Sequence, residues 1–282
     1  CSRCHKQCMP RPPASNAPLP ARMIKITDAS GAHPMANLVD FHVRKDYICL
    51  SHCWGAVRPD CITTKETYQR NTAEIPWSSL PQTFKDAIIV TKLLGKEFLW
   101  IDSICIVQGD EHDWMAEASK MCTVYENSFL TLMATKAGDA HGGLLPKDHN
   151  VFPLLRRAWV FQERCLSLRV AHFTAEGVVY ECYGRGLWSA PRNAAEFVQV
   201  WNGIVKVYSG LDLTFHSDKL PALAGLAKQL SSRSKSSGYH PGRFLAGVWE
   251  NTFAEGLIWS GTNKPPGPGP LTWGAPTWSW AS

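Results

Sequence analysis

The sequence predicts an α/β protein: a mostly parallel sheet flanked by helices, followed by a helical and irregular, tryptophan-rich C-terminal extension. Three observations predict it. Short apolar runs closed by turn residues alternate with segments of helical periodicity. Two of those runs, at Tyr47 to Leu50 and Phe98 to Ile101, are apolar without a polar alternation, as strands buried on both faces are. Beyond residue 190 such runs give way to long helical periods and then to chain rich in Pro and Trp.

Taken in order, residues 1–40 are expected to be an extended Cys- and Pro-rich segment, because Pro10, Pro12, Pro13, Pro18 and Pro20 fix φ and remove amide donors. The α/β core is expected over 41–190. Tyr47 to Gly55 reads as a buried strand ending in a loop. Leu80-Pro81 leads to Thr83, an N-cap candidate, and Phe84, Ala87, Ile88, Thr91 and Leu94 follow at helical spacing until Gly95 stops them. Phe98 to Val107 reads as a second buried strand, and strand, helix, strand implies a right-handed crossover. Asp113 is expected to cap a helix running through Tyr125, and Phe129 to Ala134 to be a third strand. Ala158 to Leu166 reads as a helix, Arg169 to Phe173 and Val178 to Cys182 as further strands. In the extension, 191–282, the stretches Val198 to Tyr208 and Leu220 to Leu230 are helical in period and 231–238 reads as a loop rich in Ser and Lys. From Gly261 onward irregular chain is expected, anchored on the core by Trp273, Trp278 and Trp280.

Composition narrows the function. With 45% hydrophobic residues and 12 tryptophans among 282 residues, the chain can bury a sizeable core. The net charge of +5 is dispersed, with Arg156, Arg157, Arg164 and Arg169 set among apolar residues, so no basic stripe is offered to nucleic acid. No run approaches the roughly 18 apolar residues of a membrane span, and no apolar leader follows Cys1 to Lys6, which points to a cytoplasmic protein. Most of the ten cysteines sit inside apolar runs, where a free thiol packs as a small hydrophobe, and this suits a reducing compartment. Cys1, Cys4 and Cys8, with His5, have a spacing open to zinc but lack a fourth thiolate, so no metal is assigned. The glycine clusters at 138–143 and 184–186 lack the Lys and Ser or Thr of a phosphate loop.

Several blocks carry a likeness that periodicity alone does not supply. Leu50-Ser51-His52-Cys53-Trp54-Gly55, then Leu80-Pro81 with Asp86-Ala87-Ile88, then Leu99 to Ile106 with Gln108, Asp110, Asp113 and Trp114 resemble the fungal heterokaryon-incompatibility (HET) domain in order and spacing. Glu117, Met121, Tyr125 and Leu130-Thr131-Leu132 continue the pattern, and Arg157 to Arg164 resembles a block that follows it. Asp218 to Ala227, Leu245 to Glu250 and Ala275 to Ser282 are similar to sequences that trail the domain. The connection from Leu145 to Pro153 is shorter than in similar proteins. The resemblance implies an effector of self/non-self recognition and programmed cell death, acting through self-association or a sensor partner, on a remotely TIR-like, flavodoxin-like sheet.

That remote likeness also implies a chemistry, since some TIR proteins cleave NAD with a glutamate four residues after a tryptophan. Glu163 follows Trp159 at that distance, which on a helix puts indole and carboxylate on one face. Losing nicotinamide builds oxocarbenium-like charge on the ribose, and Glu163 is the candidate catalytic carboxylate to stabilise or trap it. Ser51 and Gly55 end a presumed parallel strand, where open α/β sheets collect ligands; Trp54 could stack on a flat ring, and Asp102 could bond a ribose hydroxyl. NAD is thus a possible substrate, and no cofactor is required. Each residue has a structural alternative. Glu163 could pair with Arg157, Arg164 or Arg169; Ser51 and Gly55 could serve a turn; Trp54 could be core; Asp102 could brace its own loop. His52 and Cys53, being adjacent, point apart and make a weak nucleophile and base. Two other functions stay open, a non-enzymatic signalling scaffold and a small-molecule enzyme that reuses the fold.

Overall fold

A computed structural model describes residues 18–28, 33–144, 152–174, 176–182, 190–259 and 275–282. The expectations for Cys1, Cys4, His5 and Cys8, for 145–151 and for Trp273 fall outside those residues. The chain divides into two units, Cys1–Leu155 with Glu163–Gly186, and Arg156–Gln162 with Leu187–Ser282.

The first unit is built on strands β1 (Arg22–Thr27), β2 (Met35–Asp40), β3 (Ile48–Ser51), β4 (Phe98–Trp100), β5 (Leu130–Met133), β6 (Arg169–Thr174) and β7 (Gly177–Cys182). They form one seven-stranded sheet in the order β2-β1-β4-β3-β5-β6-β7. The middle is parallel, β3 pairing with β4 and β5, and β5 with β6. Both flanks are antiparallel, through β1 on β2 and β4 and through β6 on β7. The α/β class is as expected, with a mixed sheet whose parallel part is its centre.

Helices α1 (Tyr68–Ala73) and α2 (Gln82–Leu93) connect β3 to β4. Between β4 and β5 lie α3 (Asp102–Cys105), α4 (Glu111–Ala118) and α5 (Met121–Glu126), and α6 (Ala158–Leu166) leads into β6. Register puts Cys49, Trp100 and Thr131 on one sheet face, and there the Tyr125 ring of α5 meets the fully buried Trp100 edge-on at 5.5 Å. On the other side of β3, Phe84 of α2 meets the His52 ring at 4.8 Å.

Four local expectations are corrected. Residues 22–40, set apart as extended segment, contain the β1/β2 hairpin, whose alternating Ile24, Ile26, Ala36 and Leu38 are buried; pairing along β4 outweighs the prolines upstream of it. The strand expected to continue to Val107 ends at Trp100, because the Asp102 carboxylate accepts from the Ser103 amide at 2.7 Å and the chain turns into α3. The cap of α4 is Asp110, which accepts from the amides of His112 and Asp113; Asp113 itself binds Arg22 and the Val107 amide. Thr83 does not cap α2: its hydroxyl accepts from the Gly143 amide at 3.1 Å, while Pro81 occupies the cap position.

In the second unit Asn193 caps α7 (Ala194–Tyr208) by accepting from the Glu196 amide, and a proline opens α8 (Pro221–Ser236). The latter runs on through the stretch expected as a loop, because Ser231 and Ser234 are buried and the Ser234 hydroxyl donates to the Tyr239 carbonyl. A short hairpin, β8 (Phe244–Leu245) with β9 (Val248–Trp249), turns through Gly247 at φ +100°. The indoles of Trp201 and Trp280 both donate to the Gly247 carbonyl, at 3.0 and 2.9 Å. Trp280 therefore anchors the end of the chain, whereas Trp278 is 37% exposed.

Cys49, Cys53, Cys61, Cys105 and Cys165 are buried free thiols; Cys122 and Cys182 are half-buried. Burial pushes the Cys49 thiol well above its ordinary value and those of Cys61, Cys105 and Cys165 to about 12. Since the thiolate is the nucleophile, iodoacetamide at pH 8 should label Cys122 and Cys182 in the folded chain and reach the five buried thiols only after unfolding, as read by peptide mass spectrometry. The same shifts imply that stability, whole below the ordinary thiol value of 9.0, falls as pH rises towards about 12, because the unfolded thiols ionise first.

Candidate functional site

At the carboxyl edge of the parallel strands the first unit gathers the loops after β3, β4 and β5. Ser51 ends β3 with its hydroxyl buried and without a hydrogen-bond partner among the described residues, and Ser103, just past β4, is in the same state. Such orphaned hydroxyls carry a desolvation cost that native cores mostly avoid. The Asp102 carboxylate, part exposed, links the loops: its Oδ2 accepts from the Trp54 indole at 2.9 Å, its Oδ1 from the Ser103 amide, and the His52 Nδ1 lies 3.9 Å from Oδ1. Of the residues predicted for this edge, Ser51, Trp54 and Asp102 are thus brought together.

Gly55 has a tighter role. At φ +78° it occupies backbone space that favours glycine, and a Cβ there would lie 2.4 Å from the Asp139 Cβ. Asp139 belongs to the loop after β5, where its Oδ1 accepts from the amides of His141 and Gly142. The same loop grips the start of α2: Gly143 donates to the Thr83 hydroxyl and Leu144 to the Asp86 carboxylate, at 3.1 and 2.9 Å. Close approach of two loops, each pinned by short polar bonds, accounts for the glycine and for Asp86 in one arrangement.

Glu163 lies on α6 in the first unit and is 6% exposed. Its carboxylate accepts a hydrogen bond from the Tyr125 hydroxyl and is close enough to Cys49 to raise that thiol. Burial first, and then the charges of Glu163, Cys49 and Asp102, push the Tyr125 phenol well above its ordinary value. The Trp159 indole donates to Asp218 at 3.0 Å inside the second unit. The arginines weighed as partners have other bonds as well, Arg164 to Glu181 through two nitrogens and Arg169 to the Phe129 carbonyl.

Periodicity missed a second polar chain. Thr135 Oγ1 lies 3.1 Å from His172 Nδ1, His172 Nε2 lies 3.0 Å from a Glu181 oxygen, and Arg164 clamps that carboxylate. The order resembles hydroxyl, imidazole and carboxylate of a hydrolase. Thr135 is only 1% exposed, so the chain serves to tie β5, β6 and β7 together. The available signal was His172 and Glu181 at diagonal positions on one face of an antiparallel pair, Glu181 opposite Val170 and His172 opposite Val179, visible only once β6 and β7 are in register. Among the described residues no group of His, Cys, Asp or Glu could hold a metal, and no helix is long and apolar enough to cross a membrane.

Residues 47–152 match the family model described as Heterokaryon incompatibility protein (HET). The chain carries a HET domain. No curated protein and no solved structure matches it. The matched stretch holds β3, β4 and β5 with the loops that carry Ser51, Trp54, Gly55 and Asp102. Tyr125 falls inside the matched stretch, Glu163 and Trp159 beyond it.

Proposed function

We propose that the chain is an effector of fungal self/non-self recognition whose HET-domain unit triggers cell death by hydrolysing the nicotinamide–ribose bond of NAD. The observation that carries this reading is the buried Glu163 carboxylate, hydrogen-bonded by Tyr125 on the sheet face whose strand ends hold Ser51 and Asp102. In the reaction the bond from C1′ to the pyridinium nitrogen breaks, nicotinamide leaves with the electron pair, and the carboxylate stabilises or traps the oxocarbenium. Water then adds at C1′ and releases a proton. Asp102 and the Ser51 hydroxyl supply an acceptor and a donor for ribose hydroxyls. A carboxylate 6% exposed is shut to substrate, so turnover requires an opening step, which suits an effector that is silent until a partner engages it.

A second reading, a scaffold that acts only by self-association, is favoured by β7. This last strand of the sheet leaves Val178, Val179 and Tyr180 55, 55 and 43% exposed, and an apolar edge is a template for pairing with another chain. One experiment separates the two. The full chain, alone and fused to an enforced dimer, is incubated with NAD and nicotinamide is followed, beside Glu163→Gln, which keeps shape and a hydrogen bond but no charge. Release that falls at least tenfold in the variant supports hydrolysis by Glu163. Release undiminished in the variant removes Glu163 from the chemistry, and none even from the dimer leaves the scaffold.

A further inference from the structure

The second unit contains a cavity of about 430 Å³, a size ordinary for small-molecule sites, roughly 300–1,000 Å³. It exists because α8 turns small side chains, Ala224, Ala227 and Ser231, towards the β8/β9 hairpin, so helix and hairpin do not fill the space between them. Its floor is aromatic and fixed. Phe244 and Trp249 pack at 5.0 Å between centroids, and Trp249 is held edge-on by Phe197 at 5.2 Å and Trp201 at 5.7 Å. Phe244 is only half-buried and offers a ring for stacking.

The rim is cationic. Lys228 and Lys235 are seven residues apart on α8, hence on one face and about 10 Å apart along the axis. Ser231 and Ser232 lie between them and also line the cavity. Neither lysine has an ion pair among the described residues, and no carboxylate lines the space. Glu250, whose side chain lies against the lining Gly242, is closed on Arg243 at 3.0 Å. Trp249 lines the cavity, and its indole N–H is buried without an acceptor among the described residues. Every charged side chain that lines the cavity is therefore positive, and its floor suits a flat apolar body.

We infer that this cavity binds a small aromatic anion, with the ring over Phe244 and the anionic group between Lys228 and Lys235. The site lies wholly in the second unit and is independent of Glu163. Titration calorimetry of the full chain with naphthalene sulfonate, beside naphthyl methanol as the same ring without charge, tests it. The sulfonate is expected to bind at least tenfold more tightly than the alcohol, inorganic sulfate is expected not to compete, and K228E/K235E is expected to erase the preference. Ala224→Phe, which fills the space from an exposed position, should abolish binding of both probes without lowering the melting temperature. Equal binding of the two probes, competition by sulfate at equal concentration, a preference that survives the charge reversal, or no binding at all overturns the inference.

Discussion

Replacing Gly55 by alanine is expected to lower the stability of the first unit by about 3 kcal/mol, of which about 1–2 comes from forcing an L-residue to positive φ and the rest from overpacking. The residue sits at φ +78° and its new Cβ would meet the Asp139 Cβ at 2.4 Å, backbone-attached carbon that has no rotamer by which to move away. Gly95 supplies the internal control, since it has φ +68° and nothing within 4 Å of an added Cβ. Gly95→Ala should therefore cost only about 1–2 kcal/mol, the conformational part. Urea midpoints of the two variants decide the matter: equal losses would mean that the Asp139 loop yields freely. The double variant Gly55→Ala/Asp139→Gly should recover part of the loss by removing the clash, though it gives up the bonds from His141 and Gly142. A loop pair that resists one carbon at this edge is a rigid frame for Ser51, Trp54 and Asp102.

The difference between Gly55 and Glu163 shows how far the sequence could be read. A glycine closing an apolar run announces a turn with special φ, but its contact with a residue 84 positions away has no sequence signal. The centre of the sheet was legible because its strands, Ile48–Ser51, Phe98–Trp100 and Leu130–Met133, are buried on both faces and so appear as unbroken apolar runs. Of its two antiparallel flanks, the one made by β1 and β2 was hidden, since these strands follow a proline-rich stretch and are bonded mainly to each other. Loop geometry was partly legible. Asp102 was weighed both as a ligand group and as a brace, and the Trp54 and Ser103 bonds place it as the hub of its loops. Tyr125 counted as one apolar position of a helix, while the bond of its hydroxyl to Glu163 emerges only once α5 has packed against Trp100 of β4. Periodicity says which side of a helix is buried; it does not say which buried hydroxyl finds which acid.

The second large effect is expected at Arg22, where alanine should cost about 3 kcal/mol, in the range for breaking one side of a largely buried ion pair. Arg22 opens β1 and its guanidinium does two things at once, Nε donating to the Cys105 carbonyl at 2.9 Å and Nη2 to Asp113. Burial works against the charge, but the Asp113 hydrogen bond and the charges of Asp113, Glu117 and Cys105 outweigh it, so its pKa is held above the ordinary value. Without it the Asp113 carboxylate keeps, among the described residues, only the Val107 amide as a donor, and the end of α3 loses a carbonyl partner. Lysine is a poor substitute, because one ammonium cannot copy a forked donor that serves a carbonyl and a carboxylate together; Arg22→Lys should lose at least half as much as Arg22→Ala. A cycle of R22A, D113A and the double variant, read by urea unfolding, should give a coupling near 2 kcal/mol, and additive losses would show that Arg22 acts through Cys105 alone. The first residue of the antiparallel hairpin thus braces the turn from β4 through α3 into α4, and that turn begins at Asp102, the hub of the candidate site. A loss of stability at Arg22 should for that reason also loosen the Trp54–Asp102 contact, visible as a change in Trp54 emission before global unfolding.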